Sequence, residues 1–111
     1  MLNFCPNPLK TLGAAAHMTA RRPETLADLT TEYGDRALAL ALDVTDSNSV
    51  AGAVRNAETH FGAIDVLVNN AGYGYLSAIE EGEDAEIRAQ FETNVFGLID
   101  VTKQVLPGME I

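Results

Sequence analysis

The chain has 111 residues, 47% of them hydrophobic and 21% charged, and a formal net charge of -9. That length suits one small domain rather than two, and the composition is that of an ordinary globular chain with a modest core. The acidic balance excludes a nucleic-acid or anionic-membrane surface, which needs clustered Lys and Arg; it reads instead as an acidic face that keeps a cytoplasmic protein dissolved.

The single cysteine, Cys5, has no partner for an internal disulfide, and no Cys/His cluster has metal-ligand spacing, so no metal is expected. His17 and His60 stand alone and read as structural or surface residues. No apolar run approaches the ~18 residues of a membrane helix. Pro6 and Pro8 fall where a signal peptide would carry its apolar centre.

Residues 1–8 read as an irregular arm, and "LKTLGAAA" as a last helical turn closed by Gly13. "AAHMTA", about Ala15 to Ala20, is a short candidate strand. Pro23 opens a helix in which Leu26, Leu29 and Tyr33 recur at helical spacing, with Gly34 as its stop. In "RALALALDV", Leu38, Leu40 and Leu42 alternate with alanines, which predicts a strand buried on both sides with a helix close against the alanine face. Thr45 or Asp46 caps the next helix, whose stripe is Val50, Val54, Ala57 and Phe61 and whose end is Gly62. "IDVLVNN" is a nearly continuous apolar run, as in a central parallel strand. A loop over 73–83 leads to a long helix from Asp84 to about Leu106. Its apolar side is Ile87, Phe91, Val95, Leu98, Thr102 and Val105, and Pro107 and Gly108 stop it. Strand alternating with helix three times over predicts an α/β protein with a doubly wound parallel sheet.

In such sheets, ligands bind at the carboxyl ends of the strands. The three strand ends here carry "TARRPE", "LDVTD" and "VNNAG". Asn69 and Asn70 supply amide donors and acceptors, and Ala71 and Gly72 permit close approach of a ligand or another backbone. Arg21 and Arg22 read equally as solvated charges or as an anion site, and Asp43 equally as a cap or as a site residue. Asn94 interrupts a helix where its propensity is poor.

"GAIDVLVNNAGY", from Gly62 to Tyr73, resembles the short-chain dehydrogenase/reductase pattern G-x-h-D-h-h-h-N-N-A-G-h, with h apolar. "DVTD" and "TNVFG" resemble two further segments of that family in the right order, and "TARRPE" its second strand end. The resemblance covers about Leu9 to Met109. It implies a Rossmann-type fold that binds NAD or NADP and passes hydride between the nicotinamide and a small carbonyl or alcohol. Carried over by position, Asp43 and Val44 line the adenine pocket, and Asn69, Ala71 and Gly72 pass beside the adenine ribose. Asn94 takes the place of the active-site asparagine that helps hold a proton-relay water. Ala20 stands where NAD-preferring members carry an acidic residue. With Arg21 next to it, the resemblance points to NADP over NAD, since a guanidinium pairs with a 2′-phosphate.

Two parts of that pattern have no match here: the glycine-rich T-G-x-x-x-G-x-G with the first, central strand, and the catalytic Tyr-x-x-x-Lys. The expectation is therefore a partial Rossmann domain over 1–111, with about three strands and three helices, the first strand missing, and no independent cofactor binding or turnover. Two other readings stand beside it: a truncated remnant without function, and an interaction module that pairs with itself or an intact homologue through the 84–106 helix.

Overall fold

The computed structural model describes residues 16–109. The last helical turn expected at Gly13 and the irregular arm expected over 1–8 lie outside them.

The first strand, β1 (Ala16–Ala20), runs parallel to β2 (Ala37–Ala41), with Met18 opposite Ala39 and Ala20 opposite Ala41. Between them Pro23 starts a 3-10 turn, Pro23–Leu26, that passes into α1 (Ala27–Tyr33). Proline suits this entry because the first N–H groups of a helix have no internal partner. Gly34, at φ 56°, ends the helix in the left-handed region that only glycine adopts cheaply. Leu26, Leu29 and Tyr33 pack on Met18, Ala20, Ala37 and Ala39. The helix thus lies on the alanine face of β2, as the alternation predicts.

The other face of β2 leads to a second core. Helix α2 (Ser47–Phe61) is capped by Asp46, whose carboxylate accepts from the N–H groups of Asn48 and Ser49 at 3.0 and 3.3 Å. Gly62, at φ 85°, closes it with its N–H on the Glu58 carbonyl. Val50 and Ala53 of this helix pack with Leu42 and with Val101 and Val105 near the carboxyl end of the chain.

The structure departs from the sequence pattern at two places. "IDVLVNN" forms no ladder: among the described residues the sheet has two strands only, and 64–70 makes no backbone hydrogen bond to any of them. An apolar run makes a strand only where a neighbour offers N–H and C=O groups, and β1 and β2 pair with each other. Ile64 and Leu67 anchor the segment by packing on the second core. The helix from Asp84 does not stop at Pro107. It runs as α3 (Asp84–Phe91), six residues of wider π-helix, Glu92–Gly97, and α4 (Leu98–Met109). Val105 is buried and Met109 packs on the same cluster, which holds the last turn helical despite the proline. The wider turns also rotate the upstream stripe out of line: Val101 and Val105 are buried, whereas Phe91, Val95 and Leu98 are exposed.

Candidate functional site

Of the expected site residues, Arg21 and Asp43 lie at the carboxyl ends of β1 and β2, and of all of them only Arg21 lines the cleft at that edge. Arg21 follows β1 directly, is exposed, and makes no hydrogen bond or ion pair with the other described residues. Its charge reaches Asp43, just beyond β2. Asp43 does not cap α2, since Asp46 does. Instead its carboxylate closes a short turn, accepting from the Thr45 hydroxyl at 2.6 Å and the Thr45 N–H at 2.9 Å. The Thr45 hydroxyl bond and then its N–H bond hold the carboxyl below the ordinary aspartate range. Burial opposes them, and the Arg21 charge adds a smaller downward push. The Asp43 N–H in turn donates to the Ser49 hydroxyl on α2 at 3.0 Å. Strand end, turn and helix are thereby tied together.

Val44 packs against the π stretch of the long helix. Gly97, buried at the end of the π stretch, lies so close that a Cβ there would fall 2.7 Å from Val44 Cγ2 and 3.1 Å from the Val44 carbonyl oxygen. A glycine in mid-helix costs about 1 kcal/mol against alanine, and this contact explains it.

Asn94 sits inside the same π stretch, and its side-chain amide brackets one residue of the loop. Its Nδ2 donates to the Tyr73 carbonyl at 2.7 Å, and its Oδ1 accepts from the Tyr73 N–H at 3.0 Å. Gln90 donates to the same carbonyl at 3.3 Å. Gly72 permits this approach: a Cβ there would fall 3.1 Å from Asn94 Oδ1. Asn69 donates from Nδ2 to the Thr102 hydroxyl at 3.1 Å and pins the extended segment to α4. Ala71 is half-buried between these two ties. Tyr75, whose hydroxyl accepts from the Glu83 N–H at 3.1 Å, fastens the loop to the start of α3.

Arg21, Thr45 and Tyr73 form one wall of an open cleft of about 570 Å³, and Glu86, Ala89, Glu92 and Thr93 the other. Arg21 and Tyr73 come together there, whereas Asn69 is held away on α4. Sequence reasoning assigned no role to Thr45 beyond capping, nor any to Gly97, Gln90 or the Tyr75 tie. A signal existed for Gly97, because an isolated glycine inside a helical pattern usually has a packing reason. For Gln90 and Tyr75 none did.

The family profile described as short chain dehydrogenase matches residues 7–110. The chain therefore belongs to the short-chain dehydrogenase family. It is 44% identical over 96 residues to oxidoreductase BOA17 of Botryotinia fuckeliana, covering 86% of this chain and 35% of that protein. Among solved structures it is similar to a short-chain dehydrogenase from Streptomyces avermitilis, with a TM-score of 0.83 and 42% identity over 88% of this chain and 37% of that one. It is also similar to a 3-ketoacyl-(acyl-carrier-protein) reductase from Brucella melitensis solved with NADH, with a TM-score of 0.86 and 32% identity over 93% of this chain and 43% of that one. The chain spans about a third of the length of the curated relatives it matches. The fold is accordingly α/β of the Rossmann kind, and the family binds nicotinamide dinucleotides. Among the described residues, no helix is long and apolar enough to cross a membrane.

Proposed function

We propose that the cleft beside Arg21 takes the 2′-phosphate of NADP(H), with Arg21 on that phosphate; the family pattern would run the adenine past Asp43 and Val44 and the ribose past Ala71 and Gly72, outside the cleft lining, and its Asn69 contact would require the bond to Thr102 to open. The observation that carries this reading is the Arg21 guanidinium, exposed at the carboxyl end of β1, without a hydrogen bond to another described residue, and lining a cleft. A planar fork of donors matches a phosphate.

The pyrophosphate fits less well. A helix N-terminus suited to it must have open N–H groups. At α2 the Asp46 carboxylate already takes them, and α3 opens among Glu83, Asp84 and Glu86. Glu86 and Glu92 also face Arg21 across the cleft. Affinity of this chain alone is therefore weak and rests on the 2′-phosphate.

In the whole protein the cofactor would supply hydride exchange with a carbonyl or alcohol, and Asn94 would stand at the catalytic side of the site. The sequence holds no Tyr-x-x-x-Lys, so turnover by this chain alone is not expected. The domain is a partial Rossmann unit, and its location is cytoplasmic.

The test is titration of the chain with NADPH and with NADH. NADPH should bind more tightly, and Arg21→Ala should remove most of that difference, a loss of roughly ten-fold for a charge-assisted pair. Equal affinity for the two nucleotides, or an unchanged preference in Arg21→Ala, would sink the reading. A second reading, self-association through 84–106, is favoured by one observation: Phe91 and Phe96 are 52% and 55% exposed on that helix. Sedimentation showing a monomer at all concentrations would remove it.

A further inference from the structure

One carboxylate belongs to two hollows of the surface. The cleft with Arg21 has Glu86, Ala89, Glu92 and Thr93 along its helical wall. A second hollow, a groove of about 420 Å³, is lined by Ile87, Phe91 and Phe96 together with Asp84, Arg88 and Glu92. Of the residues lining the two, Glu92 alone is common to both. It therefore has a cation in each: Arg21 across the cleft, and Arg88 one helical turn back, since the Glu92 N–H bonds the Arg88 carbonyl. Among the described residues no ion pair joins its carboxylate to either.

The two pairings are close in energy. Along a helix, a base one turn ahead of an acid is the weaker order of pair. Glu92, Arg21 and Arg88 are all exposed, and exposed ion pairs are weak. A carboxylate balanced between two weak partners is moved by whatever binds one of them. The other anions near Arg21 lack this freedom. Asp43 is held by the Thr45 hydroxyl and N–H, and Glu86 lines the cleft without lining the groove.

From this placement we infer that Glu92 determines how strongly the cleft prefers a phosphate monoester, by exchanging Arg21 for Arg88. The inference rests on the nucleotide reading and adds the residue that governs it. In the free cleft the Glu92 carboxylate turns to Arg21 and offsets its charge. A 2′-phosphate on Arg21 would place two anions on one guanidinium, and like charges repel. Glu92 then turns to Arg88, so phosphate binding costs the difference between two exposed pairs rather than the whole of one. Asp84, one turn ahead of Arg88, is a rival for it, but a guanidinium has donors enough for both.

The 111-residue chain is titrated with NADPH and with NADH, and the ratio of the two dissociation constants is read in a cycle of Glu92→Gln and Arg88→Gln. Both side chains are exposed, so neither substitution threatens the fold. Glu92→Gln removes the rival anion and should raise the preference for NADPH by roughly two- to five-fold. Arg88→Gln leaves the carboxylate no second partner and should lower the preference by about two-fold, although Arg88 does not line the cleft. In the Glu92→Gln background Arg88→Gln should change nothing, which separates an exchange of partners from a general loss of positive charge. An unchanged preference in Glu92→Gln, or an equal effect of Arg88→Gln in the two backgrounds, overturns the inference; if Arg21→Ala still removes the preference, the nucleotide reading stands without it. If the parent chain shows no preference, or Arg21→Ala leaves it unchanged, the nucleotide reading fails and the role of Glu92 fails with it.

Discussion

Asn94→Ala removes both hydrogen bonds that bracket Tyr73, at 2.7 and 3.0 Å. A net hydrogen bond contributes about 0.5–1.5 kcal/mol. Both of these are exposed, so water replaces part of what is lost, and Gln90 still reaches the Tyr73 carbonyl at 3.3 Å. The expected cost is about 1–2 kcal/mol, confined to the loop, which corresponds to roughly 5- to 30-fold faster exchange of the Tyr73 amide. Asn94→Asp separates the two bonds. Its carboxylate keeps the acceptor for the Tyr73 N–H but sets a second oxygen against the Tyr73 carbonyl. That contact raises the folded pKa of the new Asp, so the damage is full at neutral pH and is relieved as pH falls and the acid becomes a donor. Gly72→Ala should also loosen the loop, because its Cβ meets Asn94 Oδ1 at 3.1 Å. In the Asn94→Ala background that cost should vanish, a coupling that a double-mutant cycle measures. The assay is site-resolved hydrogen exchange of residues 70–76. An unchanged Tyr73 rate in Asn94→Ala, or strictly additive effects of the two substitutions, would refute the clamp.

Gly97→Ala sets two opposed effects against each other. Alanine gains about 1 kcal/mol of helix propensity, but its Cβ would press on a backbone oxygen as well as on Val44 Cγ2, and overpacking costs about 1–3 kcal/mol. Net destabilisation, partly restored by Val44→Ala, is expected in urea unfolding; a variant more stable than the parent would show that propensity wins. Because its folded pKa is lowered, Asp43 stabilises the fold at neutral pH, and that contribution is lost as pH falls through the folded value. Thr45→Val removes the shorter bond and should cost about 1 kcal/mol at pH 7 and nothing once Asp43 is protonated; an unmoved Asp43 titration by carboxyl NMR would contradict it. Finally, α3 has no buried residue, so its amides should exchange well before those of α2 and α4. Protection of α3 equal to that of α2 would mean that its face is covered in solution.

What the sequence disclosed was whatever local pattern controls. The helix at Pro23, the alanine face of β2, the caps at Asp46 and Gly62 and the loop at 73–83 each depend on residues close in the chain, and each lies where the pattern put it. The extended segment 64–70 shows the limit. Its apolar run carries every mark of a central strand, but a ladder is a property of two chains of atoms, and the pattern of one cannot supply the other. The long helix shows a second limit. Periodicity assumes 3.6 residues per turn throughout, and six residues of π-helix change which side chains share a face. The same stretch carries Asn94, the poor helix former noticed in the sequence, and Gly97, which was not singled out there. The Asn94 clamp was illegible for another reason: its partner is a main-chain group 21 residues away, and main-chain groups leave no trace in residue identity.

The two cores explain how site and stability are coupled. The first core, under α1, belongs to the sheet. Among the described residues the second, between α2 and α4, packs on Leu42 and Val44 just past β2, and the Asp43 N–H bond to Ser49 ties the same strand end to α2. The cleft lies beside this seam, with Arg21 and Thr45 at the sheet edge and Glu86, Ala89 and Thr93 on α3 and the π stretch that continue into α4. Any ligand that touches both walls must therefore hold α3 and the helix it continues into against the sheet edge, and its binding energy is divided between contact and closure. If the seam is closed only a fraction of the time, the measured affinity falls by that fraction. By linkage, the same ligand raises the apparent stability of the seam as its concentration passes its dissociation constant. Weak nucleotide binding with a large gain in protection across the seam would then report an open hinge, whereas weak binding without such a gain would report a poor site.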